Sequence, residues 1–513
     1  MLDSVGALVG RGAPDRPALT YQDTTIDYAE LGRQVAAAAA GLRRLGLRRG
    51  ERVVVYAEKR IETVVALLAT AAAGAVFVPA NPVCKAPQIA HIATDCTASM
   101  VITTAERYAT VRQALADAKS VRHVVLIGDG AEPSGDGRRQ ASGWSDLVRE
   151  TGPEPSGVID TDLAALLYTS GSTGAPKGVV LTHRNLVAGA QSVATYLGNT
   201  ANDVILAALP LSFDAGLSQI TTALYAGAHA VLANYVLANE LVRLCARHRV
   251  TGLTAVPPLW LHLAAQKWPA EATRRLRYFA NTGGRMPRPT LAALREIFPA
   301  AKPFLMYGLT EAFRATYLDP AEVDRRPDSI GKAIPNAEVL VVRPDGTPCH
   351  PHEEGEIVQR GALVAQGYWM DPERTAERFR PAPGATTAAR TEIAVWSGDI
   401  AYRDEEGFLY FVGRVDEMIK TSGYRVSPSE IEQAAYATGL VGEAVAFGAP
   451  DERLGQHVVL VVSGEATESD LRAALEKQLP RYMLPRRLVF LEKLPRSPNG
   501  KFDRIQTQRA ATA

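Results

Sequence analysis

The sequence predicts an α/β protein: a large N-terminal domain of doubly wound sheets with a small β-rich part, then a small α+β domain at the C-terminal end. Three observations predict it. Short apolar runs alternate with helical patterns from residue 25 to 127 and again from 162 to 306, the pattern of parallel strands with helices on both faces. From 329 to 412 the helices thin out, and Pro344-Asp345-Gly346 and Glu405-Glu406-Gly407 mark the turns of β-hairpins. At 513 residues the chain is too long for one ordinary domain, and the stretch after Gly413 is long enough to form a small one. The expected division is 1–413, with the β-rich part at about 329–413, and 414–513.

Taken in order, residues 25–45 carry alanines and leucines at helical spacing, with Asp27 placed as an N-cap. Residues 52–56 and 75–79 read as strands flanking a helical run at 61–73, and the alternation continues through 88–94, 100–103, 105–118 and 123–127. The alanine-rich segment 35–42 is too short to span a membrane and is closed by arginines, so a packed helix is expected. Residues 128–161 are rich in Gly, Pro, Asp, Ser and Glu, with one apolar island at 144–148, and read as a mobile surface connection. Apolar runs at 163–167, 204–208, 229–232, 252–256, 278–281 and 303–306 then read as strands, with helical patterns between them.

Composition narrows the function. An apolar fraction of 47% suffices for large cores. With 56 Lys and Arg against 55 Asp and Glu, the formal net charge is +1, which gives no basis for bulk nucleic-acid binding. The cysteines (Cys84, Cys96, Cys245, Cys349) are scattered with no CxxC pair, so neither a zinc site nor a disulfide framework is expected. Residues 1–15 lack the basic region and apolar core of a signal peptide, and no apolar run is long enough for a membrane span. A cytoplasmic setting is the expectation.

Residues 168–181 read Tyr-Thr-Ser-Gly-Ser-Thr-Gly-Ala-Pro-Lys-Gly-Val-Val-Leu, between a short apolar strand and a helical pattern that begins at Asn185. Glycines let backbone N–H groups approach an anion, Ser and Thr add hydroxyl donors, and Lys177 adds a charge. Such a set suits a triphosphate, although in isolation it also reads as a flexible surface loop. It is not a Walker A loop, in which Gly-Lys precedes Ser or Thr.

This stretch resembles the phosphate-binding loop of the adenylate-forming superfamily: acyl-CoA synthetases, adenylation domains of non-ribosomal peptide synthetases, and luciferases. The resemblance runs from about residue 20 to 504, through several motifs in the same order. It implies ATP and Mg²⁺ as the nucleotide and metal, with Thr169, Ser170, Gly171, Ser172, Thr173, Gly174 and Lys177 cradling phosphates. His183 lies just beyond and reads as structural.

The other motifs are read both ways. In Leu209-Pro210-Leu211-Ser212-Phe213-Asp214-Ala215-Gly216, Asp214 stands among apolar residues, where a carboxylate needs a partner. It reads as the N-cap of a helix starting near Gly216. The resemblance instead implies that Phe213-Asp214 is the Phe-Asp with which amino-acid-activating domains hold a substrate ammonium, although many of those have Ser where this chain has Gly216. The same phrase also resembles acyl-CoA ligases of the exosortase A-associated group. Asn281-Thr282-Gly283-Gly284-Arg285-Met286-Pro287 reads as a tight turn or as a close approach of backbone to a planar ligand. The resemblance implies that Gly283, Gly284 and Arg285 border the adenine and the acyl pocket.

Phe304-Leu305-Met306-Tyr307-Gly308-Leu309-Thr310-Glu311 matches the superfamily's Tyr-Gly-x-Thr-Glu. The match implies Tyr307 and Gly308 at the adenine, Thr310 at phosphate, Glu311 on Mg²⁺, and Met306 and Arg314 along the acyl pocket. Arg314 is either paired at the surface or turned inward to donate to a second carboxylate or other acceptor group of the substrate. Trp396-Ser397-Gly398-Asp399 resembles the motif whose aspartate binds the ribose diol, a fit for a carboxylate that accepts two hydrogen bonds. Arg414 is the implied second ribose or phosphate contact, Asp416 the hinge of the C-terminal domain, and residues 420–426 the segment that forms the thiol tunnel. Pro498-Asn499-Gly500 is a turn that presents Lys501, by itself an exposed lysine and by resemblance the one that bridges substrate carboxylate and α-phosphate.

The expected enzyme activates a small carboxylic acid as an acyl-adenylate, releases pyrophosphate, and passes the acyl group to a thiol. An amino acid or amine-bearing acid loaded on a separate acyl or peptidyl carrier protein is the favoured case. A fatty or aryl acid with CoA as acceptor, an amide-forming ligase, a luciferase-like oxygenase and a nucleotide-binding relative without turnover are the alternatives. With no carrier domain after Lys501, a free-standing ligase is expected.

Overall fold

The structure, a computed structural model, describes residues 4–128, 139–149, 157–169, 176–384, 391–414, 417–421, 424–451, 455–479 and 481–512. Four sheets organise the described residues. In the first, of nine strands, six run parallel in the order Lys302–Tyr307, Tyr278–Asn281, Gly252–Ala255, Val204–Ala207, His229–Leu232, Pro17–Tyr21. Thr316–Leu318 and Lys332–Ala333 add antiparallel strands at one edge, and Thr24–Asp27 at the other. The second sheet has seven strands, in the order Gln140–Gly143, His123–Ile127, Met100–Thr104, Arg52–Tyr56, Val76–Pro79, Leu163–Thr169, Lys177–Thr182, all parallel except the last.

Helices Ile61–Ala72 and Asp214–Tyr225 are buried on nearly every side; the first is almost wholly apolar, whereas the second buries Asp214, Ser218, Gln219, Thr221 and Thr222 as well. They share one continuous apolar core with residues of both large sheets. Helix Tyr28–Arg44, which contains the alanine-rich segment, packs into the same core. Among the described residues no helix is long and apolar enough to cross a membrane.

The third sheet is antiparallel and occupies the stretch expected to be β-rich: Ala337–Val342, Gly355–Gly361, Ile393–Arg403, Phe379–Pro381 and Leu409–Arg414. The fourth begins at Ile419–Thr421 and is completed by Tyr424–Val426, Gly455–Ser463, Glu443–Asp451 and Arg487–Phe490. With helices Pro428–Ala437, Glu468–Glu476 and Arg504–Thr512 it forms the small C-terminal domain.

Several expectations are corrected at element level. Asp27 does cap its helix, accepting from the Glu30 N–H at 2.7 Å, but residues 24–27 are a strand and the helix starts at Tyr28. The run at 105–118 splits into helix Ala105–Val111 and a 3₁₀ turn, Ala114–Asp117. The supposed surface connection is in part sheet: Gln140–Gly143 extends the second sheet, and Trp144 and Leu147 of the short helix that follows are buried in the large core. The polar composition of the flanks hid this element; residues 129–138 and 150–156 lie outside the described residues.

Gly216 sits in the first turn of Asp214–Tyr225 where the 209–213 loop folds back on the helix. A Cβ there would run into the Pro210 carbonyl oxygen. Glycine is thus required by the packing of this loop, whatever the substrate. Gly216→Ala is expected to lower stability by about 1–3 kcal/mol through overpacking, read as a lower midpoint of urea unfolding.

Candidate active site

The site lies where strand ends of both large sheets meet the C-terminal domain. Strand Leu163–Thr169 turns back antiparallel as Lys177–Thr182, with Thr169 and Lys177 paired in register. The glycine-rich stretch joins these two strands in the chain; Ser170, Gly171, Ser172, Thr173 and Gly174 lie outside the described residues. The second strand of this hairpin had no separate apolar signature beyond the motif itself. Thr182 then caps helix His183–Leu197 in a capping box with Asn185. His183 is buried at that helix start and accepts from the Val5 N–H at 3.1 Å, and burial holds its pKa down at about 4, which fits a structural role.

Lys177 points from the hairpin to Glu311. Its Nζ is 3.5 Å from Glu311 Oε1 and donates to Tyr368 Oη at 2.7 Å, while the Tyr368 hydroxyl donates to Glu311 Oε1 at 2.6 Å. The ammonium also lies 3.9 Å from the Tyr368 ring centre, a cation–π contact. Burial pushes the Lys177 pKa down, and Glu311 opposes that shift. Among the described residues no protein donor reaches Glu311 Oε2, so one carboxylate oxygen is available to a cation. This fits Mg²⁺, which is commonly held by one or two carboxylates together with phosphate oxygens.

Thr310 and Glu311 open a 3₁₀ turn, Thr310–Ala312, after strand Lys302–Tyr307. Phe313 then takes φ +57°, a sparsely populated conformation for a bulky residue that costs about 1–3 kcal/mol. Its ring is fully buried, and a Cβ on Gly189 would collide with it. This reversal turns Arg314 inward: its Nη1 donates to Asp214 Oδ2 at 3.0 Å, with side-chain exposures of 3% and 4%. Gln359 Nε2 donates to the Arg314 carbonyl at 2.7 Å and fixes the turn.

Asp214 is therefore not a cap. The helix begins at Asp214 itself, Phe213 is at the N-cap position without a capping side chain, and the carboxylate is used in a buried ion pair. The sequence left Arg314 open between surface and pocket; it is buried. Asp214 Oδ1 and Arg314 Nε are both buried without a hydrogen-bond partner among the described residues, so this pair offers one free acceptor and one free donor. Met306, buried nearby, accepts from the Tyr196 hydroxyl at 2.9 Å.

On the far side, Asp399 lies directly opposite Arg414 in the hairpin of Ile393–Arg403 and Leu409–Arg414. Its Oδ1 is 3.3 Å from Arg414 Nε, and its Oδ2 accepts from the Tyr307 hydroxyl at 2.6 Å. Burial raises the Asp399 pKa and Arg414 counters it. Gly398, at φ +71°, makes the bend that lets Ser397 Oγ accept from the Asp399 N–H at 3.0 Å. Arg378, which the sequence reading missed, lies against Gly398 and donates to the Trp396 carbonyl at 3.3 Å.

Lys501 comes to this site from the other end of the chain. Its Nζ lies 4.7 Å from the Phe213 ring centre, and a Cβ on Gly283 (φ +76°) would meet its Cε at 2.7 Å. Read alone as an exposed tail lysine, it is instead closed in, and burial lowers its pKa, with Asp214 the first group that opposes the shift. Gly284 packs on Pro257, whereas Arg285 is turned to Asp328, which it shares with Arg288. Gly308 sits against the Arg314 backbone. Asp416 lies outside the described residues, as do the side chains of Lys420 and Arg425. Tyr368 was also missed; its only signal was an aromatic after Gly367 in the β-rich stretch.

Two parallel-sheet layers, a third antiparallel sheet, a small C-terminal domain and a cationic cleft between them define an adenylate-forming ligase. The chain belongs to the AMP-binding enzyme family, which matches residues 8–369, and the AMP-binding enzyme C-terminal domain matches residues 430–501. It is 32% identical over 508 residues to a feruloyl-CoA synthase of Amycolatopsis, covering 97% of this chain and 96% of that protein. It is also 32% identical over 503 residues to a linear gramicidin synthase of Brevibacillus parabrevis, covering 96% of this chain but only 6% of that much longer protein. Among solved structures, the o-succinylbenzoate coenzyme A synthetase of Bacillus subtilis in complex with ATP and magnesium ion superposes with a TM-score of 0.82 at 26% identity, with 99% of each chain covered.

The buried Asp214–Arg314 pair makes a stability prediction. Arg314→Ala leaves a carboxylate buried without its partner and is expected to cost about 3–5 kcal/mol in urea unfolding, whereas replacing both residues by apolar ones of similar volume is expected to restore most of the loss.

Proposed function

We propose that this ligase condenses a small carboxylic acid with ATP to an acyl-adenylate and then passes the acyl group to a thiol. In the first step a carboxylate oxygen bonds to the α-phosphorus and the bond to the β-phosphate bridge breaks, releasing pyrophosphate. In the second a thiol sulfur bonds to the acyl carbon and AMP leaves. Little acid–base chemistry is needed, so catalysis rests on positioning and on charge stabilisation. The observation that carries this reading is the placement of Lys501: an ammonium from the end of the chain, closed in beside Gly283 and Phe213 and near Asp214 and Arg314.

In this reading Lys501 bridges the attacking carboxylate and the α-phosphate. Thr169, Lys177 and residues 170–174 between them hold the β- and γ-phosphates, with Thr310 beside them. Tyr307 and Gly308 flank the adenine, and Asp399 and Arg414 hold the ribose. Glu311 holds Mg²⁺, which when bound shields the negative charge of the phosphates. The chain divides near Arg414 into two parts, and the C-terminal one turns about Asp416 to let the thiol in, a gating motion common in such cycles.

For the acid, the free Asp214 Oδ1 supports a substrate with a hydrogen-bond donor on its acyl part, and an amine-bearing acid is our reading. Arg314 already neutralises Asp214, so an uncharged amine, as on an aminoaryl acid, fits the charge balance better than an ammonium. For the thiol, the full-length similarity to a CoA ligase supports CoA, and the similarity to a gramicidin synthase supports a carrier-protein phosphopantetheine.

ATP–pyrophosphate exchange across α-amino, aminoaryl, hydroxyaryl and fatty acids tests the proposal. Exchange is expected with amine-bearing acids, to fall about 10²–10³-fold in Lys501→Ala, and to lose its preference for them in Asp214→Ala. Measurable ATP binding with no exchange on any acid would overturn it. Because burial depresses the Lys501 pKa, the alkaline fall in kcat/KM for the acid is expected below the ordinary lysine value of about 10.4.

A further inference from the structure

We infer that Asn81 is a positioning residue that latches the Lys501 turn in the arrangement used for adenylation. The inference rests on the role of Lys501 proposed above. Asn81 follows strand Val76–Pro79 of the second sheet, and it is buried at 6% exposure. Its Oδ1 accepts from the Val83 N–H at 3.1 Å, which fixes the amide so that the NH₂ points outward. That NH₂ donates to the Pro498 carbonyl at 2.9 Å and to Asn499 Oδ1 at 3.3 Å.

The turn it grips is short and internally braced. Ser497 N–H donates to the Lys501 carbonyl at 2.7 Å, Gly500 N–H donates to the Ser497 carbonyl at 2.9 Å, and Gly500 takes φ +81°. Arg496 and Phe502 form a bridge at its base. Fixing the Pro498 carbonyl therefore fixes where the Lys501 backbone starts, and the side chain then reaches past Gly283 to Phe213. Arg496, held by Glu443 and 3.1 Å from His262 Nε2, steadies the base of the turn but does not touch its tip. Asn81 does so from a residue 417 positions away, and it does not touch the groups assigned to the reacting atoms.

A latch of this kind matters only in the step that needs Lys501. Misplacement of a catalytic group by about 1 Å can cost 10²-fold. Two variants test it. Asn81→Asp keeps the acceptor for Val83 and removes the donors; Asn81→Ala removes both. The first readout needs no substrate: labelling of Lys501 by an N-hydroxysuccinimide ester, followed by peptide mass spectrometry. Labelling is expected to rise several-fold in Asn81→Asp, with Lys302 unchanged; an unchanged Lys501 rate in both folded variants overturns the latch.

The second readout uses whichever acid supports ATP–pyrophosphate exchange in the unaltered enzyme. Exchange is expected to fall roughly 10- to 100-fold in Asn81→Asp. Thioester formation from preformed acyl-adenylate is expected not to fall, and Asn81→Asp in a Lys501→Ala background is expected to add no further loss. Equal loss in both half-reactions, or full loss on top of Lys501→Ala, would show a general structural role instead. Absence of exchange in the unaltered enzyme would sink the functional reading, while the labelling result would still decide the latch.

Discussion

The cleft is built around a charge that the protein does not balance by itself. Each of its carboxylates already has a cation: Glu311 has Lys177, Asp214 has Arg314, and Asp399 has Arg414. Among the described residues Lys501 and Arg378 have no carboxylate within ion-pairing distance, although both lie inside the same cleft. A half-buried cation without an anion is costly, and the depressed Lys501 pKa has burial as its first cause. The excess is reduced when an anionic ligand enters, which is what ATP and a carboxylate supply. The rest of the fold serves this arrangement: the two parallel sheets present the hairpin at Lys177 and the turn at Phe313, the antiparallel sheet presents Asp399 opposite Arg414, and the C-terminal domain brings Lys501.

Much of this was legible in the sequence because it is locally encoded. Strands such as 52–56, 278–281 and 303–306 are continuous apolar runs, as strands buried on both faces must be. Gly-rich turns and the order of motifs marked the site residues, and the turn at 498–500 was plain from Pro-Asn-Gly. Nothing local, however, tells an exposed lysine at a turn from a half-buried one. Lys501 is closed in by Gly283 and Phe213, which lie more than two hundred residues earlier. Asn81 and Tyr368 were missed for the same reason, since each acts through a partner far away in the chain.

Asp214 is the instructive case, because its helix-cap reading is overturned by a buried ion pair. Its neighbours gave a good helix-cap context, and its motif gave a ligand role; neither reading contained its actual partner. That partner depends on Phe313 adopting a positive φ, a conformation with no sequence signature in a phenylalanine. The segment at 140–147 failed in the opposite direction. Its flanks are so polar that the strand and the buried Trp144 were read as part of a surface connection, although tertiary contact with the strand His123–Ile127 decided the matter.

The way the C-terminal domain is attached follows from where its apolar surface goes. The two apolar clusters of this domain run from Ile419 to Ala511 and contain no residue from earlier in the chain. Its core is therefore complete without the rest of the protein. Among the hydrogen bonds that join it to the rest of the chain are those from Asn81 to the 498–499 turn, from Arg496 to His262, and from the Ser427 hydroxyl to the Val412 carbonyl. Each such hydrogen bond contributes only about 0.5–1.5 kcal/mol net, because water replaces it when it breaks. The depressed pKa of Lys501 points the same way: burial disfavours its ammonium, and an anionic ligand beside it offsets that cost.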